Sequence, residues 1–63
     1  KYEESLNYYM KANQIKPKNA GILLGLGQVC VSLNNYEESL NYYRKANQIE
    51  PQNVDILLCL GQT

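Results

Sequence analysis

The chain has no histidine, no tryptophan and no phenylalanine. Lack of histidine excludes an imidazole base and imidazole metal ligands within its 63 residues. Cysteine is sparse. Cys30 and Cys59 are the two present, whereas a disulfide-stapled domain of this size carries thiols more densely. Both are expected to be buried, reduced and packed as small hydrophobes. Net charge is also missing, with six basic residues balancing six acidic ones. Residues 1–34 carry Lys1, Lys11, Lys16 and Lys18 against Glu3 and Glu4. Residues 35–63 carry Arg44 and Lys45 against Glu37, Glu38, Glu50 and Asp55. Neither half has the dense basic patch that phosphate binding needs, so no nucleic-acid partner is expected. No stretch approaches the ~20 apolar residues of a membrane span. The richest, Gly21 to Leu33, is broken by Gln28 and Ser32. No membrane partner, signal-peptide layout or cofactor site is expected.

What is present is a repeat. Tyr2 and Tyr36, Tyr9 and Tyr43, Ala12 and Ala46, and Pro17 and Pro51 are each 34 residues apart. The match continues beyond the prolines, where Ile22-Leu-Leu-Gly-Leu-Gly-Gln28 returns as Ile56-Leu-Leu-Cys-Leu-Gly-Gln62. A fixed period of this size marks a stacked repeat architecture.

Tyr2 to Ile15 reads as a helix, since Tyr2, Leu6, Tyr9 and Ala12 fall on one face. Pro17 stops it, because a residue before proline is pushed out of the α region. Asn19 is placed to cap a second helix over Ala20 to Leu33, with Leu23, Leu26, Cys30 and Leu33 as its apolar stripe. Gly25 and Gly27 each cost this helix about 1 kcal/mol relative to alanine, so close approach of a neighbour is expected there. Val29-Cys-Val31 alone favours a strand, but the helix-length recurrence decides against it. Asn34 suits the left-handed position that closes a helix. Asn35 and Glu38 have the spacing of a capping box for a third helix, Tyr36 to Ile49, which Pro51 ends. Asn53 caps a fourth from Val54.

These residues resemble the tetratricopeptide repeat family. Leu23-x2-Leu26-Gly27-x2-Cys30, then Ser39-x3-Tyr43-x2-Ala46 and Pro51, follow that family's pattern of large and small residues. Leu23, Cys30 and Ser39 depart from its commonest residues but keep a permitted size. Ser5-x3-Tyr9-x2-Ala12 with Pro17, and Leu57-x2-Leu60-Gly61, are the flanking copies. The resemblance implies an all-α solenoid of antiparallel helix pairs winding as a right-handed superhelix, here about 1.85 repeats. Residues 1–17 would be the second helix of a preceding repeat, 20–51 a complete repeat and 54–63 the truncated first helix of the next. A fragment of a longer array is expected, poorly folded or self-associating in isolation.

The resemblance also implies function. The first helix of each pair usually lines a concave groove that binds segments of partner proteins. Its counterparts here are Gly21, Leu24, Gly25, Gln28, Val31 and Ser32, then Asp55, Leu58, Cys59 and Gln62. None is basic, which argues against the carboxylate grip that some family members use. Gly25 and Cys59 stand where others carry a backbone-holding asparagine ladder. A largely apolar groove with amide rims remains, suited to an apolar helical or extended segment. Glu3-Glu4 and Glu37-Glu38 fall in the first turn of a helix, where they offset its dipole rather than serve as paired catalytic acids. Adjacent tyrosines, Tyr8-Tyr9 and Tyr42-Tyr43, point about 100° apart, so one ring of each pair is core and the other rim. The expectation is a non-catalytic scaffold within a multi-subunit assembly, in an intracellular, cytoplasmic, cytoskeletal or ciliary setting. The alternative is the repeat arm of an enzyme such as a transferase, with its catalytic domain elsewhere.

Overall fold

The computed structural model describes residues 1–62. Four helices account for most of them: α1 (Tyr2–Ile15), α2 (Ala20–Ser32), α3 (Tyr36–Ile49) and α4 (Val54–Gln62). No strand occurs among the described residues. The helices form an all-α solenoid of antiparallel pairs joined by short links. α2 lies between α1 and α3, and α4 packs on α3. The described chain measures 29 × 26 × 15 Å.

Each boundary has a local cause. Lys16 and Glu50, the residues before the two prolines, share one geometry, φ −130° and ψ 79°. Each still donates its backbone N–H to an alanine carbonyl, Ala12 or Ala46, at 2.9 Å. Asn19 caps α2, its Oδ1 accepting from the Ile22 N–H at 3.0 Å. Asn53 caps α4 in the same way, accepting from the Ile56 N–H at 3.2 Å. Both acidic pairs stand in a first turn, Glu3 and Glu4 in α1 and Glu37 and Glu38 in α3. Residue 63, assigned to the last helix from sequence, lies outside the described residues.

The end of α2 corrects two expectations. The helix stops at Ser32, and Leu33 is its C-cap rather than its last core position, with 37% of its surface exposed. Asn34 follows at φ 62°, the left-handed conformation expected of it. Its N–H donates to the Val31 carbonyl at 2.9 Å, and the Asn35 N–H donates to the Cys30 carbonyl at 2.8 Å. This pair of bonds is a Schellman closure. It also rules out the capping box. Glu38 cannot receive an N–H already committed to Cys30, and the Asn35 side chain makes no cap bond.

The core is small and centred on α2. Leu23, Leu26, Ala20, Ala46 and Ile56 form a buried cluster. Burying a leucine such as Leu26 contributes roughly 1.5–3 kcal/mol. Tyr43 lies across Gly27, where an added Cβ would stand 2.6 Å from its Cδ1. That is the close approach the glycine permits, and it offsets the helix penalty. Ser39 is fully buried, and its hydroxyl is satisfied by donating to the Tyr36 carbonyl at 3.0 Å.

Candidate functional site

The face expected to bind is carried by α2 and α4. Three of its ten residues, Val31, Cys59 and Gln62, converge on one cavity of about 440 Å³. Tyr36 and Tyr43 complete the lining. Sequence reading assigned Tyr43 to the core alone, yet one edge of it borders this cavity. Tyr36 was not anticipated in the site. Its hydroxyl donates to Asn34 Oδ1 at 3.1 Å, so the turn that closes α2 also positions this ring. The signal was present in the sequence as an aromatic directly after a helix-closing Asn-Asn pair.

The other seven lie outside that cavity. Leu58 is well exposed, at 57%. Leu24 is half-buried and packs partly against the core cluster. Gln28 and Ser32 are exposed, and the Ser32 hydroxyl donates to the Gln28 carbonyl at 3.3 Å. Gly21 and Asp55 are exposed near the starts of α2 and α4, where Asp55 offsets the helix dipole. Gly25 does not offer an open surface. The Tyr9 ring covers it, and a Cβ there would stand 2.7 Å from Tyr9 Cζ. The neighbouring helix has taken that space, so Gly25 serves helix packing.

Burial favours the neutral form of Tyr43, Cys30 and Tyr42. Burial pushes the Tyr43 phenol up to about 12, with Cys59 adding to the rise through charge and hydrogen bonding, and Cys30 adding further. Burial raises the Cys30 thiol, and the Glu38 carboxylate adds to it. Tyr42 is raised by burial first and then by Cys30 and Glu38. Cys30 is buried as expected, but Cys59 is only half-buried, because it borders the cavity. No basic side chain is among the described residues lining the cavity. Among the described residues no group of three or more His, Cys, Asp or Glu could hold a metal ion. No described helix is long and apolar enough to cross a membrane.

A family model described as TPR repeat matches residues 27–63, more than half of the chain. The chain belongs to the tetratricopeptide repeat family. A second model, described as tetratricopeptide repeat, matches residues 1–19. No curated protein matches the chain. Tetratricopeptide repeats generally mediate protein–protein interaction and are typically non-catalytic.

Proposed function

We propose that this tetratricopeptide chain is a non-catalytic scaffold in a larger assembly, binding an apolar helical or extended segment of a partner protein on the α2–α4 face. The observation that carries this reading is the cavity between Val31, Tyr36, Tyr43, Cys59 and Gln62, together with the exposed Leu58 on the same helix as Cys59 and Gln62. A side chain entering it meets a valine, two rings, a thiol and one amide. Leucine or methionine suits such a lining better than a carboxylate does, since no cation is present to offset the desolvation of a charge. Apolar burial contributes about 25 cal/mol per Å² and does not depend on charge screening. Binding should therefore change little between low and moderate salt.

The test is selection of random peptides displayed on phage against the immobilised chain, with Leu58→Asp as the counter-target. Enriched peptides should carry apolar residues at helical or alternating spacing, bind equally in low and moderate salt, and lose binding to Leu58→Asp. Enrichment of acidic peptides whose binding collapses with salt would overturn the reading, as would peptides that bind Leu58→Asp unchanged.

A further inference from the structure

Asn34 does two separable things. Its backbone sits at φ 62°, in the left-handed region that closes α2. Its side-chain Oδ1 accepts from the Tyr36 hydroxyl at 3.1 Å. The first needs only a residue that tolerates positive φ, and glycine does so best. The second needs an acceptor on a short side chain, which glycine lacks. Asparagine and aspartate are the residues that tolerate this conformation and also bring an oxygen to it.

The bond bears on binding because Tyr36 is one wall of the cavity. The neighbouring walls are held by packing. Tyr43 is 3% exposed, and Val31 and Cys59 are half-buried within their helices. Tyr36 is the first residue of α3 and is 54% exposed. Packing restrains its ring weakly, so the bond to Asn34 is what fixes it. A ring that swings out removes a wall, and one that swings in fills the space. Either movement lowers the fraction of molecules with a complete, open cavity, and the apparent affinity falls by that fraction.

We propose that Asn34 is a positioning residue for the binding face, fixing Tyr36 so that the cavity is complete before a partner's leucine or methionine side chain enters. This rests on the reading of that face as a site for an apolar segment. A partner then does not have to order the ring on arrival. Holding a wall in its bound position gains affinity without adding a contact. A hydrogen bond of ordinary net strength favours one ring position over its alternatives by a factor of about two to twelve.

Titration with N-acetyl-leucinamide and N-acetyl-methioninamide, followed by nuclear magnetic resonance of the backbone amides, tests this. The proteins are the chain, Asn34→Gly, Asn34→Asp, Tyr36→Phe and the double variant Asn34→Gly/Tyr36→Phe. In the unmodified chain both compounds should shift Val31, Cys59 and Gln62, with dissociation constants in the millimolar range. Asn34→Gly and Tyr36→Phe should each weaken binding about threefold, and by no more than about twelvefold. The double variant should bind no more weakly than either single one, because both remove the same bond. Asn34→Asp keeps the acceptor and should bind at least as tightly as the unmodified chain. Binding that Asn34→Gly and Tyr36→Phe leave unchanged overturns the proposal and leaves the reading of the face intact. So do losses that add in the double variant, since a turn and a ring acting separately would give them, or a loss in Asn34→Asp equal to that in Asn34→Gly. Failure of both compounds to shift the unmodified chain overturns the reading of the face and this proposal together.

Discussion

Gly27→Ala is the sharpest test of how α2 and α3 meet. In an exposed helix interior the substitution stabilises by about 1 kcal/mol, because glycine loses more backbone freedom on folding. At Gly27 the new methyl would stand 2.6 Å from Tyr43 Cδ1, against a ring that is 3% exposed and would have to leave its packed position and shift toward the cavity it borders. Overpacking of this kind costs about 1–3 kcal/mol. The expected net effect is a loss of about 1 kcal/mol, small but opposite in sign to propensity alone. Removing the ring should reverse it. In a Tyr43→Leu background the same Gly27→Ala change should stabilise by about 1 kcal/mol, a coupling of roughly 2 kcal/mol between the two sites. Gly25→Ala is the internal comparison. Its Cβ would also meet a tyrosine, Tyr9, but that ring is 37% exposed and can swing outward, so its loss should be smaller. Urea denaturation of dilute samples, followed by circular dichroism, measures all five proteins. If Gly27→Ala raises stability with Tyr43 in place, or the double-variant cycle shows no coupling, the ring does not lie where the packing argument needs it.

Tyr43→Ala should cost roughly 3–5 kcal/mol by comparison with other buried aromatic truncations. Tyr42→Ala, at a half-buried ring on the edge of the core, should cost less than half of that in the same denaturation assay. Stability should begin to fall near about pH 9, where the unfolded chain ionises Cys30 while the folded thiol keeps its proton, and fall further between pH 10 and about 12, because the unfolded chain ionises its tyrosines near 10 while folded Tyr43 holds its proton to about 12. The loss attributable to Tyr43 is on the order of 2 kcal/mol, so denaturation at stepped alkaline pH should show a clearly flatter decline in Tyr43→Phe. Cys59 should react with a thiol reagent at least about tenfold faster than Cys30 in the folded chain, since Cys30 is 2% exposed and its thiol pKa is raised. Mass spectrometry of the partially labelled chain measures both rates, and equal rates would show that Cys30 is not shielded.

Much of this fold could be read from the period. Once Tyr9 and Tyr43 are matched, a single set of assignments places Gly27, Ala46 and both prolines, and helix limits follow to within a residue. The misreadings have one origin, the Asn34-Asn35 turn. Asn19 and Asn53 each stand four residues beyond the end of the preceding helix, at Ile15 and Ile49, and cap the next helix with a side-chain oxygen. Asn35 sits only three residues beyond Ser32 and belongs to two helices at once. The Schellman closure of α2 claims its N–H and sets its backbone at ψ 74°, against 112° at Asn19. Local spacing showed a capping box; the competing claim on the same N–H came from the preceding helix. The site was less legible for a related reason. Gly25 was placed on the binding face from its register, but whether a register position is open depends on the neighbouring ring, here Tyr9.

The contrast between α1 and α3 carries the general point. Their amphipathic pattern is the same, and in each it selects the same residues to face inward. How far those residues are buried is decided by the helices on either side, which is why serine, tyrosine and alanine are fully buried in α3, while in α1 the matching Ser5 and Ala12 are half-buried and Tyr9 is exposed. In a fold where each unit touches only its neighbours, stability is a sum of unit and interface contributions. Every interface supplied to α1 or α4 should therefore raise the stability of the whole chain, whatever supplies it.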